Sequence, residues 1–349
     1  MAPSDDKAKE DKKKELARIS QEIWRIIPNV KDFDELPYAL RPYVMRMPIA
    51  NHQSPSLNTD AHGFRRLVVN DEAVSYDQFC EAPGKKGMLL GDSVIYGYGL
   101  ADNETLHAQL SQRNNGDTLW YSLSAPVMNT LQIRLLLELF LPPKIDYVTL
   151  FITTSAPIIY LLSPFDTHPF PILFGQSTDA MFNAGAVTRR QSKRFKLASG
   201  IEVHDPLMAF QLAFDDVRRN IRLIASALQT LTSARLLICF RASPQWLEKP
   251  LAPQEREVMD IFIAKHRTHI GLTLDPELKP YWNEYVAQIK NLAGECGADF
   301  IDFNKTPALK SPDWLFFDHF HQNATGISHV AQHIRDWADR IDTQSETSS

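Results

Sequence analysis

Short apolar runs alternate with helical stripes along most of this chain. Five runs have the length of a β-strand and lack polar alternation, and they span residues 87–91, 118–123, 147–152, 234–240 and 298–303. Strands of a parallel sheet are covered on both faces and therefore form continuous apolar segments. The pattern predicts a mainly parallel sheet of five strands.

The segments between these runs carry the period of amphipathic helices. Apolar residues recur every three or four positions over 214–231, 281–292 and 330–341. Strands that alternate with helices are joined by right-handed crossovers, which place helices on both faces of the sheet. We therefore predict an α/β fold with three layers, α/β/α, over residues 87–341.

The two ends of the chain and its first quarter do not follow this alternation. Residues 1–15 mix acidic and basic side chains without an apolar period, which predicts a disordered charged tail, and 342–349 are predicted as a second tail. A helical stripe begins at Leu16, and prolines break the segment that follows it. For residues 16–86 we expect an N-terminal helix and an irregular lead-in.

A long insertion interrupts the pattern at residues 157–210. It is rich in Pro and Phe and has no sustained period, so we expect a lid-like segment over the sheet. A basic cluster lies within it, formed by Arg189, Arg190, Lys193, Arg194 and Lys196. Two interpretations of this cluster stay open, a solvated loop face or a clamp for an anionic substrate or carrier phosphate.

The charge balance narrows the range of partners. The 349 residues include 37 basic and 42 acidic residues, a net charge of -5, so we expect neither nucleic acid nor a membrane surface as a partner. The three cysteines, Cys80, Cys239 and Cys296, are widely spaced, as is typical of reduced thiols. Because no apolar run has the form of a secretory signal or a bilayer span, we expect a cytoplasmic protein. The sequence leaves the oligomeric state open.

Residues that could perform chemistry stand near both ends of the predicted domain. Gly91-Asp92-Ser93 ends the first strand of the sheet, at the carboxyl edge where open α/β sheets bind ligands. Asp318 and His321 follow the last strand, and an Asp at this spacing can orient an imidazole whose other nitrogen accepts a serine proton. A simpler interpretation also stays open, with Ser93 as a helix cap and the other two as surface residues.

Together these motifs resemble those of the SGNH, or GDSL, hydrolases, a superfamily of serine esterases and acyltransferases with a flavodoxin-like sheet. Residues 58–65 are similar to the lead-in block of many bacterial members, 91–93 to the nucleophile block, and Asp318 and His321 with Gly326 to the terminal block. The resemblance implies that Ser93 is the nucleophile, that His321 is the general base and that Asp318 orients it. It also implies that the reaction needs no metal ion and no organic cofactor.

Two blocks depart from the family pattern. The second block, residues 122–130, has no glycine, and the third block, residues 151–157, has no asparagine. In the family these two residues donate hydrogen bonds to the oxyanion, and losing one such donor can cost about 100- to 1000-fold in turnover. Ser124 and Ser155 are the candidate replacements, together with the backbone N–H of Ser93.

The sequence therefore supports three functions, of which a serine-dependent ester hydrolase is the first. We expect it to remove an acyl group from a sugar or small metabolite through a covalent acyl-Ser93 intermediate. An O-acyltransferase would use the same residues and pass the acyl group to an alcohol or amine. A catalytically weak binding protein would keep the fold to recognise a glycan or another partner. The expected ligand of the enzyme is a small-molecule or glycan ester.

Two further features allow more than one interpretation. His329 and His333 lie one helical turn apart and could join His321 on a metal ion, but no carboxylate or cysteine completes the set. An amphipathic helix face explains both histidines, so we predict no metal site. Arg65 either pins the lead-in to the sheet or contacts the substrate.

Overall fold

The computed structural model describes residues 5–41, 44–113, 118–162, 205–265 and 267–348. The lead-in consists of short elements before the main sheet. They are α1 (Asp5–Ile26), α2 (Val30–Asp34), β1 (Tyr38–Arg41), β2 (Met45–Pro48), β3 (Leu67–Val69), β4 (Glu72–Val74) and α3 (Tyr76–Glu81). Strands β1 and β2 form one antiparallel pair, and β3 and β4 form another.

The helix at the N-terminus is longer than the apolar pattern indicates. Because α1 begins at Asp5, the prediction of a disordered tail is wrong for residues 5–15. Arg18 pairs with Glu15 at 2.7 Å and with Glu22 on the next turn. Ion pairs at these spacings support a helix that has few apolar residues. Further along α1, Ile19 and Ile23 are buried in the core.

A five-stranded parallel sheet forms the centre of the fold, as predicted. Its strands are β5 (Lys85–Gly91), β6 (Thr118–Ser124), β7 (Tyr147–Ile152), β8 (Arg235–Phe240) and β9 (Asp299–Asp302). They lie in the order β6-β5-β7-β8-β9, and every neighbouring pair is parallel. The interior strands are almost entirely buried, which explains their continuous apolar sequences.

Helices cover both faces of this sheet and complete the three predicted layers. They are α4 (Ser93–Tyr96), α5 (Leu106–Arg113), α6 (Thr130–Phe140), α7 (Ser155–Leu162), α8 (Pro206–Leu231), α9 (Pro244–Leu247), α10 (Pro253–Lys265), α11 (Arg267–Leu274), α12 (Lys279–Glu295) and α13 (Ala324–Ser348). On one face α8 packs against α6, α7 and α12. The other face carries α13 against α5, and α1 against α10. The three helical periods seen in the sequence lie within α8, α12 and α13.

Two predicted segments need correction. Helix α13 continues to Ser348, so the prediction of a disordered tail is wrong for residues 342–348, where Thr343 and Thr347 donate to carbonyls one turn earlier. Both ends of the predicted lid are helical, since α7 and the start of α8 fall within 157–210. The remainder of that prediction, with its basic cluster, falls on residues 163–204, outside the described part of the chain. Among the described helices, none is long and apolar enough to cross a lipid bilayer.

Arg65 joins the lead-in to the turn that follows α4. Its side chain is completely buried, and Nε donates to Asp102 Oδ1 at 2.7 Å. The other four N–H groups donate, at 2.6 to 2.8 Å, to the backbone carbonyl oxygens of Ser56, Tyr96, Gly97 and Leu100. A guanidinium has five N–H donors, and here the protein itself accepts all of them. This geometry favours the interpretation that Arg65 pins the lead-in.

The close approach of Arg65 requires glycine at position 97. Gly97 has φ +85°, and a Cβ there would lie 2.9 Å from both Arg65 Nη1 and Thr105 Cγ2. We expect Gly97→Ala to lower the free energy of unfolding by about 2 kcal/mol or more, measured by chemical denaturation, because strain in the left-handed region adds to the clash.

The control is Gly294→Ala in α12, where a Cβ meets no atom within 4 Å. It should leave the free energy of unfolding unchanged or raise it by about 0.5 kcal/mol. A Gly97→Ala protein as stable as the control would show that the Arg65 contacts do not depend on this glycine.

Candidate active site

Ser93 lies at the carboxyl edge of the sheet, on the turn between β5 and α4. Asp92 is the N-cap of α4, and its Oδ1 accepts a hydrogen bond from the Val94 N–H at 3.1 Å. Gly91 permits the tight packing of this turn, since a Cβ there would lie 2.4 Å from Ile95 Cγ1. The side chain that follows the cap is therefore held at the start of a one-turn helix.

The structure brings the three predicted catalytic residues together. Ser93 Oγ lies 2.8 Å from His321 Nε2, and His321 Nδ1 lies 2.7 Å from Asp318 Oδ2. A carboxylate only accepts hydrogen bonds, so Nδ1 carries the proton and Nε2 is the nitrogen able to receive the serine proton. The arrangement has the connectivity that a hydroxyl nucleophile requires.

Asp318 is held in its ionised form. Its Oδ1 accepts the backbone N–H groups of Phe320 and His321, each at 2.8 Å. Burial by itself raises the pKa of Asp318, but the electrostatic interaction with His321 and the hydrogen bonds from His321 and Phe320 outweigh burial, and the pKa lies well below its ordinary value. The carboxylate therefore stays negative beside the imidazole across the neutral range.

A buried ion pair anchors the segment that leads into Asp318. Glu255 Oε1 accepts the N–H groups of Leu315 and Phe316 at 2.8 and 2.9 Å. The other oxygen of this fully buried carboxylate is 2.6 Å from Lys249 Nζ. After His321, Gly326 allows α13 to begin directly against the same segment, because a Cβ there would lie 2.4 Å from the Leu315 carbonyl oxygen.

Aromatic rings surround the imidazole on the side of the lead-in. The ring of Tyr98 lies 4.6 Å from that of His321, and Phe33 from α2 packs edge-on against Tyr98 at 4.4 Å. Tyr98 belongs to the turn that Arg65 holds. The position of His321 therefore depends on the lead-in as well as on the sheet.

Two histidines occur in the terminal motif, and they have different surroundings. His319 is 2% exposed, and its Nδ1 lies 2.6 Å from Gln245 Nε2. Burial lowers the pKa of His319, so this ring is neutral at physiological pH. Only His321 contacts Ser93, which distinguishes the candidate base from its neighbour.

Arg241 is a residue of this region that the sequence analysis missed. It follows β8 directly, its side chain is 5% exposed, and its Nη1 lies 3.4 Å from Asp92 Oδ2. Nη2 donates to the hydroxyl of Thr154, and the guanidinium carbon lies 4.1 Å from the centre of the Phe320 ring. A charged residue immediately after an apolar strand marks the carboxyl edge of a sheet, and that signal could have identified it.

The oxyanion candidates occupy the ends of the strands on either side of β5. Ser124 ends β6 opposite Gly91, is 1% exposed, and has its hydroxyl 2.6 Å from that of Ser122. Ser155 is the first residue of α7, separated from the end of β7 by Thr153 and Thr154, and its side chain is outside the described part of the protein. These positions flank the turn that carries Ser93.

The second block adopts a glycine-like backbone without containing a glycine. Val127, between β6 and α6, has φ +66° and is 38% exposed. The left-handed region is a strained conformation for a β-branched residue. The turn beside Ser93 thus keeps a conformation that glycine would adopt at lower cost.

The candidate metal ligands do not form a metal site. Over the ranges that the structure describes, no three His, Cys, Asp or Glu side chains cluster as metal ligands would. His333 on α13 instead packs 6.1 Å from the Phe303 ring. His321, His329 and His333 are all described residues, and they belong to no such cluster.

Comparison with known proteins gives a match of fold only. No family model and no curated protein matches the sequence. This chain is similar in fold to solved structures of the G-D-S-L family. A lipolytic G-D-S-L member from Veillonella parvula is 12% identical with a TM-score of 0.42, and the match covers 71% of this chain and 95% of that one.

Two further structures match to a similar extent. The psychrotrophic esterase EstA from Pseudoalteromonas sp. is 11% identical with a TM-score of 0.41, over 73% of this chain and 99% of that one. A carbohydrate acetylesterase family member from Sinorhizobium meliloti is 11% identical with a TM-score of 0.36, over 71% and 94% of the two chains.

Replacing Val127 should release strain in the second block. We expect Val127→Gly to raise the free energy of unfolding by about 1 kcal/mol, because the strain removed exceeds the chain entropy that glycine adds to the unfolded state. Val69, in β3 and with ordinary strand conformation, is the control, and Val69→Gly should be destabilising. Equal destabilisation by both variants would contradict the presence of strain at position 127.

The lowered pKa of Asp318 predicts a pH-dependent contribution to stability. A carboxyl with a depressed folded-state pKa stabilises the protein above its unfolded pKa of about 3.9, and this contribution is lost as pH falls through the folded pKa. The difference in free energy of unfolding between the protein and Asp318→Asn should therefore be constant at neutral pH and shrink below about pH 4. Exposed Asp339, changed to Asn, is the control. A difference independent of pH down to acid unfolding would contradict the depressed pKa.

Proposed function

We propose that this protein is a serine-dependent ester hydrolase. One observation carries the proposal, the continuous chain of hydrogen bonds from Ser93 through His321 to the buried Asp318 carboxylate. It supplies a nucleophile, a base with the correct tautomer and an anion that stabilises the imidazolium. A helix-capping serine would need neither of the other two residues.

Acylation follows from this geometry. Ser93 Oγ attacks the ester carbonyl while His321 Nε2 takes the hydroxyl proton, and a tetrahedral oxyanion forms. The C–O bond to the leaving alcohol then breaks, and the imidazolium returns the same proton to the alcohol oxygen. The acyl group remains on Ser93 as an ester.

Water completes the cycle by the same route. His321 Nε2 takes a proton from water as its oxygen attacks the acyl carbon, a second oxyanion forms, and the imidazolium protonates Ser93 Oγ as the acid leaves. Asp318 stays ionised throughout and stabilises the imidazolium that forms twice. The steps use only groups of the protein, the ester and water.

The oxyanion requires donors around the turn after β5. We assign the backbone N–H of Ser93 as one of them, with further donors from the turns after β6 and β7 where Ser124 and Ser155 stand. Each good donor contributes about 3 to 4 kcal/mol to transition-state stabilisation. The Ser124 hydroxyl lies 2.6 Å from that of Ser122, and its own proton is available to the oxyanion when Ser122 is the donor of this pair.

The proposed substrate is an acyl ester of a sugar or small metabolite. The side chain of His321 is only 14% exposed, and Tyr98 covers one face of its ring. An ester can therefore reach the imidazole only over the part of the ring that stays uncovered.

A fluorophosphonate probe tests the nucleophile directly. We expect the probe to label Ser93 covalently, and Ser93→Ala to abolish labelling, because Ser93 is the serine whose hydroxyl lies beside the His321 base in the described part of the chain. Asp318→Asn should slow labelling by about 1000-fold or more, since the imidazole loses its orienting anion. Peptide mass spectrometry of the labelled protein identifies the modified residue.

Ser328→Ala is the matched control, since the hydroxyl of this partly buried serine donates to the Thr325 carbonyl. It should be labelled at the wild-type rate, and the wild-type protein should release free acid from p-nitrophenyl acetate. Absence of labelling in the wild-type protein would overturn the hydrolase and favour a binding protein.

A further inference from the structure

A buried cation lies where three segments of the proposed active site meet. Arg241 contacts the residue before the nucleophile, Asp92, and the ring of Phe320, which stands between Asp318 and His321. It also donates to Thr154 at the end of β7. We propose that Arg241 is a positioning residue that sets the distance between Ser93 and His321; the inference rests on the hydrolase function proposed above.

On the nucleophile side Arg241 acts through Asp92. The two oxygens of Asp92 have separate partners, because Oδ1 accepts the Val94 N–H and Oδ2 faces Arg241. Ser93 lies between Asp92 and Val94. A shift of the carboxylate toward or away from the guanidinium therefore moves the backbone on both sides of the nucleophile.

On the base side Arg241 acts through Phe320. The guanidinium carbon lies 4.1 Å from the ring centre, within the range of a cation–π interaction. The backbone N–H of Phe320 donates to Asp318, and the next residue is His321. The position of this ring therefore controls the loop that carries both the orienting carboxylate and the imidazole.

The positive charge of Arg241 matters as well as its volume. Burial lowers the pKa of Arg241, whereas Asp92 and Asp318 act in the opposite direction and keep the guanidinium charged. A buried cation persists only where its desolvation is offset by anions such as these. A methionine would fill the space but leave both carboxylates without this partner, and a lysine would keep the charge but lose the fork that reaches Asp92 and Thr154 together.

Steady-state kinetics on the full chain with p-nitrophenyl acetate tests the proposal. We expect Arg241→Met to lower kcat by about 10- to 100-fold with little change in KM, because a small misplacement of reacting groups has an effect of this size. Arg241→Lys should retain an intermediate kcat. Asp92→Asn keeps an oxygen for the Val94 cap and should lower kcat through the same contact. The loss in the Arg241→Met, Asp92→Asn double variant should be no larger than in the worse single variant, since the pair acts as one unit.

A spectroscopic readout separates positioning from turnover. The proton between His321 Nδ1 and Asp318 should give a low-field proton resonance in the wild-type protein. We expect this resonance to shift or broaden in Arg241→Met and to be restored toward its wild-type position in Arg241→Lys. Arg235→Met is the matched control, an arginine at the opposite end of the same strand with half of its side chain exposed. It should change neither the resonance nor kcat.

The outcomes distinguish this proposal from the function on which it rests. A wild-type protein that neither turns over ester nor reacts with the fluorophosphonate probe refutes the hydrolase, while the resonance still reports whether Arg241 holds the loop. If the wild-type protein is active and Arg241→Met keeps its kcat and resonance, the positioning role is overturned. Losses that multiply in the double variant would show that Asp92 and Arg241 act independently. If Arg241→Met does not fold, kcat and the resonance of Arg241→Lys and Asp92→Asn are compared with those of the wild-type protein instead.

Discussion

The hydrogen bonds of the buried Arg65 guanidinium are the constraint on which the geometry of the candidate active site depends. Three of its acceptors are carbonyl oxygens of the turn at residues 96–100, directly after the helix that carries Ser93. An unpaired guanidinium in this position would be strongly destabilising, so the turn has one favourable arrangement. Tyr98 lies in that turn and against the His321 ring. A residue that touches neither Ser93 nor His321 therefore helps to align both.

Two buried arginines flank the turn that carries Ser93, and they contact different atoms. Arg65 binds carbonyl oxygens after α4 and the carboxylate of Asp102, whereas Arg241 faces the carboxylate of Asp92 before it. A one-turn helix has little stability of its own because nucleation of a helix is unfavourable. Its geometry must therefore come from contacts at both ends. These ion pairs fix the orientation of the turn, which apolar packing alone would not.

The sequence predicted those parts of the protein that depend on local patterns. Interior parallel strands are buried on both faces, so their apolar runs identified the sheet. The spacing of Asp318 and His321 within one loop identified the hydrogen bond between their side chains. The sequence could not decide between the two interpretations of Arg65, since most of its acceptors are backbone carbonyls, which have no sequence signature. Arg241 was marked only by its charge directly after an apolar strand. The first turns of α1 were predicted as a disordered tail because they lack an apolar period. Ion pairs one turn apart stabilise this helix instead.

Residues 122–130 show that a left-handed backbone conformation can form without a glycine. A chain without glycine between β6 and α6 would ordinarily be expected to lose the left-handed turn, yet Val127 adopts it. Strain of about 1 to 3 kcal/mol at one residue persists only when the surroundings determine the conformation. Here β6 is fixed in register opposite Gly91, and Asn129 caps α6 through the Gln132 N–H at 2.9 Å. Because β6 and α6 are both fixed in position, few backbone conformations can connect them. The geometry beside Ser93 is thus set by the framework, and the identity of residue 127 determines mainly what that geometry costs.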